Sequence, residues 1–307
     1  MKKLWLGIAL TLCFASSTLA QDNSRVHMLR PFATPPQPNG PTISYNGGPV
    51  FETAPTVYLV YYGNWTKKDQ TVINNFLSAL GGTTMDKINA TYADSAHKHV
   101  PNALNFNPSK DSYHDNYSLG HHLTGDSQIQ LIAANAIKGG HLPPDENGIY
   151  FVLTAKDVTD ADGFCTTYCG YHSPSTSIVT GDVIKYSMVG NAIQQCPRCA
   201  FNARIGDKSS PNNDPGADGV VNVIWHEFSE TVSDPEVNLR TAWAGNCGES
   251  GDCCAWLEGK TFITKNGSHA NERIGGHDYF VQEMLQLKTK KLGQNEPAAC
   301  ENTFNKP

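Results

Sequence analysis

Residues 216–235, which read GADGVVNVIWHEFSETVSDP, form the stretch that decides how this chain folds and what it can bind. Apolar residues recur at every fourth position from Val220 to Val232, a spacing that predicts a helix with one buried stripe. Asp218 is expected to cap the start of this helix, because a carboxylate can accept hydrogen bonds from the first free amides. The helix is expected to end before Pro235, since proline restricts the residue that precedes it.

A possible metal-binding pattern lies on a neighbouring face of the same helix. Because side chains four residues apart point the same way, His226 and Glu230 can hold one cation between them. The pattern resembles the His-Glu-x-x-His of zinc peptidases with a carboxylate in place of the second histidine, and zinc accepts both ligand types. Glu227 would then act as general base on a zinc-bound water. The predicted function is a zinc-dependent hydrolase, most simply a peptidase.

A catalytic zinc ion needs a third protein ligand, and the candidates lie downstream of the helix. Glu249 is the first choice because it follows Glu230 by 19 residues, close to the separation of second and third ligands in zinc peptidases that use glutamate. It also lies in a loop, residues 245–253, that disulfides formed by its cysteines would hold in place. The remaining candidates, in order, are Asp234, Asp252 and Glu236. The competing interpretation makes His226 a hydrogen-bonded core histidine and Glu230 a surface or ion-paired residue.

The first twenty residues have the features of a secretory signal peptide. Lys2 and Lys3 precede an apolar run over residues 4–14, and small residues follow up to Ala20. No later stretch approaches the roughly 18 consecutive apolar residues that a membrane-spanning helix needs. The protein is therefore expected to be secreted, into the extracellular space, a cell wall or a periplasm.

The cysteines support an exported protein. Apart from Cys13 in the signal peptide, all of them fall in the second half: Cys165, Cys169, Cys196, Cys199, Cys247, Cys253, Cys254 and Cys300. An even number in an exported chain predicts disulfides, although the pairing cannot be read from the sequence. The close spacing within residues 165–169 and 196–199 leaves a four-cysteine zinc site as the alternative.

Apolar patterns also place the elements that precede the motif helix. The predicted strands are residues 57–62, 149–153 and 185–190, the predicted helices are 66–80 and 126–137, a short strand is expected near Tyr117, and residues 163–182 are expected to form a loop. This order predicts an α/β (α+β) fold with a mixed sheet, a zincin-like active-site helix and a disulfide-stapled second half. Residues 1–20 would be the signal peptide, 21–48 a proline-rich N-terminal arm, and 49–307 a single domain.

The charge of the chain narrows the class of partner. The formal net charge is −6, and removal of Lys2 and Lys3 with the signal peptide makes it −8. An acidic chain without a stripe of lysine and arginine argues against nucleic acid or an anionic membrane as the main partner. The expected partner is a peptide or protein substrate, or a cell-wall polymer.

Several segments of the chain resemble the phosphate-induced protein 1 family, which includes the plant EXORDIUM proteins. The matching segments are residues 47–50 (GGPV), 57–65 (VYLVYYGNW), 152–158 (VLTAKDV), 163–165 (GFC), 169–170 (CG), 195–199 (QCPRC) and 211–214 (PNND). The resemblance implies a secreted, cell-wall-associated protein linked to growth control, without an established catalytic activity.

The resemblance to the plant members does not extend to the helix predicted within residues 216–235. Plant members differ from this chain at the His-Glu-x-x-Glu pattern, whereas the chain looks like microbial relatives that carry it. In those relatives the pattern is followed by Ser/Thr-Asp-Pro, here residues 233–235, and by a Gly-Glu-x-Gly-Asp-x-Cys loop, here residues 248–253, whose last position is a cysteine. Two classes of function therefore compete: a secreted zinc hydrolase, and a non-catalytic extracellular protein of the EXORDIUM type that binds wall polysaccharide or a receptor.

Overall fold

The computed structural model describes residues 28–29, 42–176, 181, 183–196, 199–201, 206–288 and 298–303. Residues 1–20, interpreted above as a signal peptide, lie outside these ranges, as does most of the arm assigned to residues 21–48. The division of the chain into signal peptide, arm and domain stays a prediction.

The fold is built from sixteen strands and three α-helices within the described ranges. The strands are β1 (Met28–Leu29), β2 (Ile43–Tyr45), β3 (Thr56–Tyr62), β4 (Ser112–Asp115), β5 (His122–Leu123), β6 (Gly148–Thr154), β7 (Thr159–Asp160), β8 (Gly170–Thr176), β9 (Val183–Gly190), β10 (Trp243–Gly245), β11 (Phe262–Ile263), β12 (His269–Ala270), β13 (Glu272–Ile274), β14 (His277–Tyr279), β15 (Met284–Leu287) and β16 (Ala298–Glu301). The helices are α1 (Lys67–Leu80), α2 (Asp126–Lys138) and α3 (Pro215–Ser233), and short 3₁₀ helices cover Asp86–Thr91, Ala192–Gln194 and Asp252–Cys254.

A six-stranded mixed sheet forms the centre of the molecule, in the order β1-β8-β9-β6-β3-β4. Strands β4, β3, β6 and β9 run parallel to one another, whereas β8 pairs antiparallel with β9 and β1 pairs antiparallel with β8. All seven residues of β6 are buried, as expected for a parallel strand covered on both faces. Helix α3 packs against β8, β9 and α1. The predicted mixed α+β architecture is confirmed.

Most of the predicted elements are confirmed to within two residues at each end. Strands β3, β6 and β9 and helices α1 and α2 lie where the apolar patterns placed them. The short strand expected near Tyr117 is found slightly earlier, as β4. The prediction of a loop over residues 163–182 is wrong for residues 170–176, which form β8. This segment reads GYHSPST and carries little apolar signal, so its strand conformation depends on backbone pairing with β9.

The start of helix α3 differs from the prediction. The N-cap is Asp214, whose side chain accepts a hydrogen bond from the Ala217 amide at 3.2 Å. Pro215 follows as the first helical residue, a position that suits its fixed φ and its missing amide proton. Asp218 lies buried in the first turn instead, where it accepts hydrogen bonds from the backbone and side chain of Asn212.

The eight cysteines of the second half form four disulfides: Cys165–Cys196, Cys169–Cys199, Cys247–Cys253 and Cys254–Cys300. The disulfide prediction is therefore confirmed. The alternative of a four-cysteine zinc site is wrong, because each cysteine of that group is bonded to another sulfur. Four disulfides are typical of proteins that fold in an oxidising compartment. No helix within the described ranges is long and apolar enough to span a membrane.

A buried carboxyl in the 3₁₀ helix Asp86–Thr91 makes the stability of the fold depend on pH. Asp86 is 1% exposed, and its Oδ2 atom has no hydrogen-bond partner among the residues that the structure describes. Burial raises the pKa of Asp86 to about 7, although hydrogen bonds from Asn89 and the Gly82 backbone partly oppose this. The folded chain therefore holds a proton that the unfolded chain releases near pH 4. The contribution of this group to stability falls as the pH rises from about 4 to 7.

The variant Asp86→Asn is expected to be more stable than the wild type at pH 8, because its amide never becomes charged. The stability advantage of the variant should grow by about 2–3 kcal/mol between pH 5 and pH 8 and level off above the folded pKa. Urea unfolding of both proteins at the two pH values measures this difference. An advantage of equal size at pH 5 and pH 8 would contradict the assignment.

Candidate metal centre

The polar face of helix α3 is turned into the protein interior. His226, Glu227 and Glu230 are each 0% exposed, although two of them carry carboxylates. The Nε2 atom of His226 lies 3.2 Å from Oε1 of Glu230, so the one-turn spacing brings the two side chains together as the sequence predicts. Charged residues are rarely buried this fully without a partner. Each of the three side chains could therefore contribute a ligand to a cation.

The loop between β10 and the 3₁₀ helix Asp252–Cys254 closes one side of this cluster. The Asp252 amide donates to Oε1 of Glu230 at 2.9 Å, and Oδ1 of Asp252 lies 3.8 Å from Nε2 of His226. The Cys247–Cys253 disulfide closes a short loop around Glu249, and the Cys254–Cys300 disulfide ties the next residue to β16. The loop is therefore fixed at the cluster by covalent bonds, as the cysteine pattern suggested.

Strand β8 contributes a histidine that the sequence analysis missed. Nε2 of His172 lies 3.0 Å from Oε2 of Glu249 and 3.7 Å from Oε2 of Glu230. His172 is 3% exposed. A single histidine in a polar segment that was interpreted as loop gives no spacing signal. Strand β8 pairs antiparallel with β9 and packs against helix α3, and this places His172 beside the two glutamates.

Gln282 sets the orientation of the His226 ring. Its Oε1 atom lies 3.2 Å from Nδ1 of His226, while its Nε2 group donates to the Gly251 carbonyl at 2.9 Å. Since an amide oxygen can only accept, Nδ1 of His226 must carry the proton in this contact. Nε2 is then the ring nitrogen that faces Glu230 and Asp252. A hydrogen bond from the second ring nitrogen to a neighbouring acceptor is typical of metal-ligating histidines.

Several polar atoms of the cluster lack a hydrogen-bond partner among the described residues. They are Nε2 of His226, both carboxylate oxygens of Glu227 and Oε2 of Glu230. Native structures leave few buried polar atoms unsatisfied, and each one calls for an explanation such as an ion. Two groups bring one donor atom per residue within 4.8 Å of one another: His172 with Glu227 and Glu230, and His226 with Glu230 and Asp252.

The pKa shifts of the cluster also indicate an excess of negative charge. Burial alone would lower the pKa of His226, but attraction from Glu230 and the other carboxylates raises it to about 10. Burial, with repulsion from Glu230 and Glu249, raises the pKa values of Glu227 and Asp252 well above their usual range. Protons or metal ions are needed to neutralise such a cluster, because isolated buried carboxylates are very costly.

The remaining candidate ligands lie elsewhere or pair differently from the prediction. Asp234 accepts a hydrogen bond from the Ala242 amide at 2.8 Å, and Glu236 forms a two-point ion pair with Arg240. Glu249, the first choice for the third ligand, contacts the missed histidine of β8. Asp252 is the carboxylate that approaches His226.

The comparisons with known proteins cover this whole region. A family model described as the phosphate-induced protein 1 conserved region matches residues 43–264. Protein EXORDIUM-like 5 of Arabidopsis thaliana is 32% identical over 279 residues, with 82% of this chain and 71% of the relative covered. Protein PHOSPHATE-INDUCED 1 of Nicotiana tabacum is 31% identical over 253 residues, with 76% and 74% covered. No solved structure gives a significant match. The chain therefore belongs to the phosphate-induced protein 1 family, together with the EXORDIUM proteins.

Proposed function

We propose that this protein is a non-catalytic extracellular protein of the EXORDIUM type whose fold is secured by a buried zinc centre on helix α3. The observation that carries the proposal is the burial of the candidate ligands. His226, Glu230 and Glu249 are each 0% exposed, so a cation among them would be enclosed by protein. A catalytic zinc keeps an open position that water and substrate must reach, whereas a structural zinc needs none.

Membership of the family supports the same function. The relatives named EXORDIUM-like and PHOSPHATE-INDUCED 1 align with more than three quarters of this chain. By this analogy the protein acts outside the cell by binding a cell-wall polymer or a receptor. The four disulfides suit an extracellular environment. The acidic net charge, −8 after removal of the signal peptide, makes a neutral or basic wall component the better partner.

Zinc suits the donor atoms of the cluster. His226 offers Nε2, and Glu230 and Asp252 or Glu249 offer carboxylate oxygens, the ligand types that zinc accepts at about 2.0–2.2 Å. Two ligands of one tetrahedral zinc lie about 3.3 Å apart at these bond lengths. The 3.2 Å between Nε2 of His226 and Oε1 of Glu230 agrees with this value. The ion would join helix α3 to the loop that carries Asp252.

Metal analysis and a binding assay test this proposal together. The purified mature protein is expected to contain zinc, to lose it in His226→Ala and to keep the ion at His226 in Glu227→Gln. A pull-down on isolated wall polymers should retain wild type and Glu227→Gln equally. Folded wild-type protein that takes up no divalent metal would refute the zinc centre. Failure to bind any wall polymer or extracellular receptor preparation would count against the EXORDIUM-type role.

One observation favours the hydrolase as a second candidate. Glu227 stands next to the cluster with both carboxylate oxygens buried and without a hydrogen-bond partner among the described residues. As general base it would take a proton from water as the water oxygen adds to the peptide carbonyl carbon. It would then pass the proton to the amine nitrogen as the C–N bond breaks. Cleavage of a peptide library by wild type but not by Glu227→Gln, with zinc kept at His226, would establish this candidate.

A further inference from the structure

We infer that the cluster holds two divalent cations, with Glu230 bridging between them and His172 binding the second. The inference rests on the proposed zinc centre and extends it. One position lies between His226, Glu230 and Asp252, and the other between His172, Glu227 and Glu230. Glu249 adds a further carboxylate beside His172. The two positions share one residue, and each has its own histidine.

The two oxygens of Glu230 face different histidines. Oε1 lies 3.2 Å from Nε2 of His226, and Oε2 lies 3.7 Å from Nε2 of His172. A carboxylate in this orientation can offer one oxygen to each of two ions, which is how carboxylates bridge paired metals. Two-metal sites hold their ions about 3.5–4 Å apart, a separation that one carboxylate can span.

The distances around each histidine match a coordination sphere. Ligand atoms on one zinc or manganese ion lie about 3.0–3.4 Å apart in octahedral or tetrahedral geometry, given metal–ligand bonds of about 2.1 Å. Nε2 of His172 is 3.0 Å from Glu249 and 3.7 Å from Glu230, and Nε2 of His226 is 3.2 Å from Glu230 and 3.8 Å from Asp252. Each histidine therefore has one carboxylate oxygen within this range, and a second at 3.7 or 3.8 Å, just beyond it.

The charges of the cluster balance when two divalent ions are bound. Four carboxylates converge at the cluster, from Glu227, Glu230, Glu249 and Asp252, and neutral imidazoles add no charge. With one divalent cation, two of the carboxylates must be protonated to remain neutral, whereas two divalent cations neutralise all four. Buried charge without compensation is costly, so the negative charge of the cluster favours binding of a second cation.

Glu227 gives an independent sign of the second ion. Both of its carboxylate oxygens are buried without a hydrogen-bond partner in the described part of the chain, and a ligand atom of Glu227 lies within 4.8 Å of those of His172 and Glu230. The absence of a side chain at Gly170 makes room for it, since a Cβ there would lie 3.0 Å from Oε1 of Glu227. A buried carboxylate in this position can serve as a ligand for a cation.

The donor set indicates the class of metal. Imidazole nitrogen together with several carboxylate oxygens suits zinc, manganese and ferrous iron, whereas magnesium and calcium prefer oxygen ligands alone. Zinc and manganese are the probes of choice because both bind without oxidation. Zinc gives the stoichiometry, and manganese gives a magnetic signal that depends on the distance between two ions.

Metal-free protein is reloaded with zinc, freed of excess and analysed, and two ions per chain are expected. His172→Ala and His226→Ala should each lose at least one ion. The matched control is His269→Ala, because His269 makes a similar contact with Asp207 at 2.9 Å outside the cluster; it should keep two. Manganese-loaded wild type should give the EPR spectrum of a coupled pair, and His172→Ala that of an isolated ion.

The outcomes separate this inference from the proposed function. A single zinc ion in wild type that survives His172→Ala, with an uncoupled manganese spectrum, would overturn the second position and leave the zinc centre intact. No bound metal at all would overturn both. The wild-type stoichiometry and spectrum decide the question even if a histidine variant fails to fold.

Discussion

Removal of the bound metal is expected to lower the midpoint of thermal unfolding by about 8–16 °C at neutral pH. A ligand present at 1,000 times its dissociation constant stabilises the folded state by about 4 kcal/mol. In a chain of this size each kcal/mol corresponds to about 2–4 °C. The reason for the loss is the cluster itself, since Glu227 and Glu230 would be left buried at 0% exposure without a cation.

The measurement compares calorimetry of the wild type before and after prolonged treatment with a strong chelator, with metal loss verified by elemental analysis. His226→Ala should start from a low midpoint and respond little to the chelator. Asp86→Asn, whose substitution lies in a separate 3₁₀ helix, should respond as the wild type does. A wild-type midpoint that stays the same after complete metal removal would contradict a structural centre.

A metal centre at this place would connect parts of the chain that are distant in sequence. His172 lies on β8, His226 on α3, and Asp252 at the start of a 3₁₀ helix whose two cysteines form disulfides. The disulfides and the centre complement each other: Cys169–Cys199 fixes the chain just before β8, and Cys254–Cys300 fixes it just after Asp252. An ion between these elements would lock helix α3 onto the sheet from its polar side.

The fold could be predicted wherever apolar periodicity carries the signal. Strands β3 and β6 and helix α1 follow from runs of apolar residues that are buried in the structure. Strand β8 could not be predicted, because its polar sequence has no pattern of its own. Its conformation is a consequence of hydrogen bonding to β9, which only the folded chain supplies.

The candidate site also consists of residues that could be predicted from the sequence and residues that could not. His226, Glu227 and Glu230 follow from helix spacing, since a period of 3.6 residues brings positions one turn apart together. The partners from other elements do not follow from spacing. The conformation of the loop places Asp252 near His226 and Glu249 near His172. These two carboxylates are only three residues apart, and no spacing rule predicts which of them contacts which histidine. Long-range pairing between elements therefore determined the part that the sequence left open.

Gly251→Ala is expected to disrupt the metal centre without disturbing the backbone. A Cβ at Gly251 would lie 2.8 Å from Nδ1 of His226 and 3.0 Å from Oε1 of Glu230. The backbone at this residue has a φ of −77° and a ψ of −42°, values that alanine adopts freely. The added methyl group must therefore push the two ligand side chains rather than strain the chain. Overpacking of this kind costs about 1–3 kcal/mol.

Displacement of both side chains should lower zinc affinity by about 10–100-fold, a loss comparable to that from removing a supporting contact of a ligand. Competition with a fluorescent zinc chelator measures the affinity, and urea unfolding measures the stability.

Gly219→Ala is the matched control. Gly219 lies on α3, and a Cβ there would meet only backbone, 3.3 Å from the Phe201 amide. Helix propensity favours alanine at such a position by up to about 1 kcal/mol, so its stability should change by no more than about 1 kcal/mol. The control should bind zinc as the wild type does. Equal zinc affinity in Gly251→Ala and Gly219→Ala would show that His226 and Glu230 do not bind the ion together.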